Sequence, residues 1–127
     1  MIDKKDEKFK FKLNGKGFHC ETDVAISLIG GKWKTVLLWY LKEEKKRFGE
    51  LRKHCPHITE RMLSITLKQL ENDGLISRKV YTKKPPLKVE YSLTDFGKSL
   101  IPVLDTIAAW GKDVAEKKGE SFIGKVT

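Results

Sequence analysis

The chain has 127 residues, with 26 basic and 17 acidic side chains, and its formal net charge is +9. Apolar residues make up 39% of the chain, which is enough for one modest core, so we expect a single domain and exclude wholesale disorder. No apolar run approaches the roughly 20 residues of a membrane-spanning helix, and the first residues lack the apolar stretch of a secretory signal. We therefore expect a cytoplasmic protein with no membrane partner, and the positive charge favours a polyanion such as nucleic acid.

Residues 1–19 are predicted to form an N-terminal arm. Phe11 and Leu13 alternate with lysines, which is the period of a β-strand, and Asn14 and Gly15 form a turn signal. The arm is expected to be either a short hairpin or an extended segment that needs a partner surface. The main domain is expected at residues 20–118, followed by a tail at residues 119–127.

Three short helices are predicted at the start of the main domain. The first ends at Gly30, and the second carries apolar residues at i, i+3, i+4, i+7 and i+8 from Trp33 to Leu41. The third is stopped by Pro56. Trp33 and Cys55 fall on the apolar faces of these helices, so we expect both side chains to pack in the core.

A fourth helix is predicted at residues 59–73. Thr59 is a favourable N-cap, and Gly74 supplies the left-handed turn that ends the helix. At 100° per residue the helix has an apolar face for the core and an opposite polar face. The polar face carries Arg61, Ser64, Ile65 and Lys68.

A β-hairpin is predicted next, with strands at residues 75–81 and 89–93. Two prolines lie between the strands and cannot join a ladder, so the connection should be a protruding loop. The segment 78–93 has a net charge of +4. Its loop cations are Lys83, Lys84 and Lys88.

The last helical region begins at Thr94, a predicted cap, and contains Pro102, which should kink the helix or start a second one. Residues 94–127 have zero net charge, although they carry a long apolar stripe with heptad-like spacing. A domain of this size has little need for such a face without a partner, so we expect a homodimer. The predicted dimer contacts are Phe96, Leu100, Val103, Ile107, Trp110 and Val114.

Together these elements predict a mainly α protein with a small β-hairpin (α+β), arranged as a winged helix-turn-helix with terminal helices for dimerisation. The helix at residues 59–73 would enter the major groove of double-stranded DNA, with its polar face against base edges. Thr59 at the helix N-terminus and the loop lysines would hold phosphates. Further affinity is expected from the basic residues before and within the third helix, Lys45, Lys46, Arg47, Arg52 and Lys53.

Several motifs resemble those of the HxlR-type regulators, relatives of the MarR group. They include Ile29-Gly30-Gly31-Lys32-Trp33, Arg47-Phe48-Gly49-Glu50-Leu51 and Val89-Glu90-Tyr91-Ser92-Leu93-Thr94. The resemblance implies a dimeric transcription factor that binds an inverted-repeat operator. Family members often carry a cysteine at the position of Cys20, and some of them use it to sense oxidants or electrophiles.

Alternative functions remain open at this point. One is an architectural DNA-binding protein without sequence preference, although Ile65 and the mixed polarity of the fourth helix argue against it. The other is a protein-interaction module of the same fold, although the basic residues of the hairpin argue against it. Cys20 is the candidate sensor, since thiolates near helix N-termini react faster, and the alternative is an unreactive cysteine near a dimer contact. The cysteines and histidines match no standard zinc spacing, and no arrangement of catalytic residues is recognisable. We therefore expect no metal, no cofactor and no enzymatic activity.

Overall fold

The computed structural model describes residues 9–82, 84–86 and 88–119. The elements of the described residues are, in chain order, β1 (Phe11–Leu13), β2 (Lys16–Phe18), α1 (Glu21–Ile29), α2 (Lys34–Leu41), β3 (Lys46–Arg47), α3 (Phe48–His54), α4 (Glu60–Asn72), β4 (Ile76–Val80), β5 (Val89–Leu93), α5 (Asp95–Lys98) and α6 (Ile101–Lys118). The predicted contact Lys83 and all but the first residue of the predicted tail lie outside the described residues.

The described part of the arm is a hairpin. β1 and β2 pair antiparallel, with Phe11 opposite Phe18. Asn14 and Gly15 have φ values of 49° and 80°, and two successive positive values are typical of the tight turns that match the twist of a hairpin. Phe18 is 7% exposed, so one side chain of the hairpin is buried.

The remaining strands form a three-stranded antiparallel sheet in the order β3-β5-β4. The predicted hairpin is present as β4 and β5, in a register that places Arg78 opposite Tyr91. The sequence predicted only these two strands and missed β3, in which Lys46 pairs with Tyr91 and Arg47 with Glu90. Two residues are too few to show the alternation that identifies a strand.

One hydrophobic core joins α1 to α4 with the sheet and α6. The apolar face predicted for α4 is confirmed, since Leu63, Leu67 and Leu70 are buried. Cys55 is buried as predicted, and Trp33 is half-buried and packs against the core. The core therefore holds the polar face of α4 toward solvent.

The C-terminal region divides into two helices, which is one of the two alternatives predicted for Pro102. Thr94 caps α5 by accepting a hydrogen bond from the Gly97 amide, and Pro102 lies in the first turn of α6. Leu100, in the linker, is half-buried and packs against the core, which leaves it less available to a partner than predicted. The other stripe residues are exposed, namely Phe96, Val103, Ile107, Trp110 and Val114.

Two contacts fix α6 to the body of the protein. Leu104 is 2% exposed, and Asp105 receives the ammonium group of Lys42 at 2.7 Å. The same ammonium group lies 3.6 Å from the centre of the Trp39 ring. None of the helices in the described ranges combines the length and apolar character needed to cross a membrane.

Candidate nucleic-acid interface

The polar face of α4 is fully presented to solvent. Thr59 is the N-cap, and its hydroxyl oxygen accepts a hydrogen bond from the Met62 amide at 3.0 Å. The predicted base-contacting side chains are all exposed, and Ile65 is 40% exposed although it is apolar. An exposed isoleucine on a polar helix face is a contact suited to a thymine methyl group. The exposed set is Arg61, Ser64, Ile65 and Lys68.

Lys68 has a local partner. Its ammonium group lies 3.2 Å from the Glu71 carboxylate one turn later, and the lysine side chain remains 69% exposed. An exposed pair of this kind contributes less than about 1 kcal/mol, so Lys68 can exchange Glu71 for a base edge at small cost.

The wing consists of β4, β5 and the loop between them. Lys84 is exposed in the loop and Lys88 is half-buried at its end. Thr82 braces the loop, because its hydroxyl accepts from the Lys88 amide at 3.1 Å and donates to the Pro86 carbonyl at 3.2 Å. The described loop cations are therefore carried by a braced turn.

A network near the loop end of the wing was not predicted from the sequence. Glu90 accepts the ammonium group of Lys45 at 3.1 Å and the hydroxyl of Tyr81 at 3.2 Å. The hydrogen bond from Lys45 lowers the pKa of Glu90, and the same bond raises the pKa of Lys45. The ammonium groups of Lys79 and Lys88 also approach the Tyr81 ring, at 4.8 and 5.1 Å from its centre.

The basic residues near α3 differ in their availability. Arg47 is exposed at the N-cap of α3, where its backbone amide donates to Glu50. Lys46 is 7% exposed and pairs with Glu44, whereas Arg52 is half-buried and donates to the Ile58 carbonyl. The predicted affinity contributions of Lys46 and Arg52 are not supported by these positions, because both cations are withdrawn from solvent as well as paired within the protein.

Two adjacent clefts lie between the wing and the helices. They share Arg78 and Tyr91, which were not among the predicted contacts. The cross-strand register that joins these two residues is the signal that could have indicated them. The first cleft, of about 330 Å³, is lined by Arg47, Phe48, Gly49, Arg78, Val89 and Tyr91. The second, of about 280 Å³, is lined by Ser64, Lys68, Glu71, Arg78 and Tyr91.

The two cysteines have different environments. Cys20 is half-buried at the N-cap of α1, with Glu21 and Asp23 in the first turn of that helix. Cys55 is buried, and desolvation raises the pKa of its thiol. A thiol that stays protonated is a poor nucleophile, so Cys55 is a poor candidate for a sensor. Cys20 is the better candidate, because its side chain is more accessible.

The histidines of the third helix and the turn after it do not gather around a common point. The His54 ring stacks on Tyr40 with centroids 4.5 Å apart, and His57 is exposed in the turn after α3. Among the residues that the structure describes, no group of three or more histidine, cysteine or acidic side chains could hold a metal ion.

Comparison with known proteins agrees with this geometry. A helix-turn-helix-type transcriptional regulator of Methanothermobacter thermautotrophicus is 53% identical over 93 residues, which cover 73% of this chain and 70% of that protein. The solved structure of the redox regulator HypR in its reduced form matches with a TM-score of 0.72 and 44% identity, covering 75% of this chain and 93% of that one. Quinone-bound YodB from Bacillus subtilis matches with a TM-score of 0.61 and 30% identity, over 73% of this chain and 97% of that one.

The family model for the HxlR-like helix-turn-helix matches residues 28–119, a range that contains α2 to α6 and both clefts. The winged helix predicted from the sequence is therefore confirmed. This chain belongs to the HxlR-like helix-turn-helix family of transcriptional regulators.

Proposed function

We propose that the protein binds an inverted-repeat operator as a homodimer and reads its sequence through α4. The observation that supports this proposal is the exposed polar face of α4, which offers hydrogen-bond donors and one apolar contact. Its side chains are Arg61, Ser64, Ile65 and Lys68. Such a mixed face matches base edges better than it matches phosphates alone. Thr59 at the helix start, Arg47 and the wing cations Lys83, Lys84 and Lys88 would hold the backbone.

The dimer is proposed from the apolar surface of α5 and α6. Trp110 is 71% exposed, and Val103 and Ile107 are 46% and 42% exposed along the same helix. Covering such side chains removes apolar area from water, which is the main favourable term in association. A two-fold dimer also presents two copies of α4, as an inverted repeat requires.

The proposal also includes a thiol response, in which oxidation or alkylation of Cys20 releases the operator. Its support is the position of Cys20 at the start of α1, together with the similarity to solved regulators named as a redox regulator and as a quinone-bound form. Oxidation or alkylation would add bulk there. The spacing of the two α4 helices must match half-sites about one DNA turn apart, so a small shift of the subunits would release the operator.

The test compares two lysines on duplexes with and without the operator, after the operator has been mapped by genomic binding. Lys68→Ala should lower operator affinity by about 1–3 kcal/mol and affect random duplex less. Lys84→Ala should weaken binding to both duplexes alike and reduce the salt dependence of that binding. Equal proportional losses on both duplexes for both variants would contradict base reading by α4 and favour an architectural role.

A further inference from the structure

The cleft between the start of α3 and the wing holds two guanidinium groups that have no partner among the described residues. Arg47 and Arg78 both line it. Neither guanidinium donates a hydrogen bond or forms an ion pair to any residue in the described part of the chain. By contrast, Lys45 and Lys68 nearby are each paired with a carboxylate. We call this space, lined by Arg47, Phe48, Gly49, Arg78, Val89 and Tyr91, the arginine cleft.

The composition of the arginine cleft selects for an anion. None of its lining residues is acidic, and Tyr91 adds a half-buried phenol. Guanidinium groups hold phosphate oxygens with paired, charge-assisted hydrogen bonds, which are stronger than neutral ones. Gly49 leaves the wall open, because a Cβ atom at that position would have no neighbour within 4 Å.

The position of Arg78 decides which phosphate is in reach. Arg78 and Tyr91 also line the second cleft, whose opposite wall carries Ser64 and Lys68 of α4. A phosphate in the arginine cleft would therefore lie directly beside the face that is proposed to read bases. A backbone phosphate flanking the recognised bases meets this condition.

We propose that Arg47 and Arg78 together bind one phosphodiester of the DNA backbone, and that this clamp sets the depth and register of α4 in the major groove. The inference rests on the proposed DNA-binding function and adds Arg78 and the open wall at Gly49 to it. Phosphate contacts of this type fix the register of a protein on the duplex without carrying sequence information themselves.

The experiment measures binding of the full chain to duplex DNA over a range of salt concentrations. Arg78→Gln and Arg47→Gln should each lower affinity for operator and random duplex by about tenfold. Each should also make the negative slope of log affinity against log salt less steep, by about 0.9 for each subunit bound. The double variant should lose little more than either single variant, because both side chains serve one phosphate.

Two further variants separate the clamp from general charge. Lys112→Gln makes the same charge change on exposed α6, outside both clefts, and should have little effect. Gly49→Leu leaves the net charge unchanged but places a side chain at the wall of the cleft, and it should weaken binding as Arg78→Gln does. Equal losses for Arg78→Gln and Lys112→Gln would overturn the clamp.

Neutral methylphosphonate groups placed one at a time along the operator backbone supply the decisive readout. The wild type should lose affinity at one position in each half-site, and Arg78→Gln should be insensitive at that position. If no position behaves in this way while the wild type still binds DNA, the clamp is wrong and the proposed function stands. If the wild type binds no duplex at low salt, the proposed function itself fails.

A free phosphorylated molecule is the competing source of the same chemistry. Inorganic phosphate serves as the probe, at constant ionic strength, with thermal unfolding as the measurement. If phosphate stabilises the wild type but not Arg78→Gln, and Arg78→Gln binds DNA normally, the cleft serves a small ligand and the proposal is overturned.

Discussion

Lys45 and Glu90 form an ion pair at 3.1 Å that joins the residue before β3 to the second residue of β5 in the wing. Tyr81, the residue after β4, donates to the same carboxylate oxygen at 3.2 Å. Glu90 thus joins three segments near the loop end of the wing. Glu90 therefore neutralises Lys45 and not the exposed Lys84 of the wing loop.

This pair predicts a contribution to stability that depends on pH. The pKa of Glu90 is lowered in the folded state by the hydrogen bond from Lys45, so its stabilisation is present above the ordinary glutamate pKa of about 4.3 and is lost as the pH falls through the folded pKa. The raised pKa of Lys45 acts at the other end, with stabilisation that is lost as the pH rises above the ordinary lysine value. The unfolding free energy should fall less between about pH 6 and pH 3 in Glu90→Gln than in the wild type. Urea unfolding at a series of pH values measures this difference. Glu116→Gln, an exposed glutamate of α6, is the control and should leave that loss unchanged.

The cap of α4 should be measurable in the stability of the whole domain. Thr59→Ala removes the acceptor of the Met62 amide and should lower the unfolding free energy by about 1 kcal/mol. Thr59→Ser keeps the oxygen and should retain most of that stability. Equal stability of the alanine variant and the wild type in urea unfolding would show that another acceptor replaces the hydroxyl.

Gly97 should be required by packing. A Cβ atom there would overlap the Leu75 carbonyl oxygen and approach its carbonyl carbon to 3.1 Å, both of which are backbone atoms with little freedom to move. Gly97→Ala should cost about 1–3 kcal/mol. Gly111→Ala is the matched control in α6, where a Cβ atom meets nothing within 4 Å, and it should stabilise by about 0.4–1 kcal/mol. Similar effects of the two substitutions would contradict the packing argument.

The oligomeric state is predicted from α6. Light scattering should give twice the chain mass of 14.6 kDa for the wild type at micromolar concentration. Trp110→Glu should shift the protein toward the monomer, because it places a charge in the apolar contact. Lys112→Glu introduces the same side chain two residues later and should remain dimeric. A monomeric wild type would contradict the prediction directly.

The two cysteines should respond differently to thiol reagents. A quinone or diamide should release operator DNA from the wild type and from Cys55→Ser, but not from Cys20→Ser. Burial and the raised pKa of the Cys55 thiol keep that residue slow to react. If Cys20→Ser releases DNA as readily as the wild type, the signal enters elsewhere in the molecule.

The local patterns of the sequence were sufficient for most of the elements. Gly74 with φ of 79° ends α4 as predicted, and Thr94 caps α5. The spacing of apolar residues separated the buried from the exposed face of α4, because a helix repeats every 3.6 residues regardless of its neighbours. The order of the elements, helices followed by a two-stranded hairpin with a basic loop, then predicted the winged helix, and the motif resemblance agreed with it.

Tertiary structure alone decided which cations are available. Lys46 and Arg52 looked equivalent to Arg47 in the sequence, yet the first is buried beside Glu44 and the second donates to the Ile58 carbonyl. The pairing of β3 with β5 and the approach of Arg78 to α4 also arise only when distant segments meet. Local sequence sets φ, ψ and the periodicity of faces, whereas desolvation and ion pairing depend on partners far apart in the chain, and these determine the charge that remains for DNA.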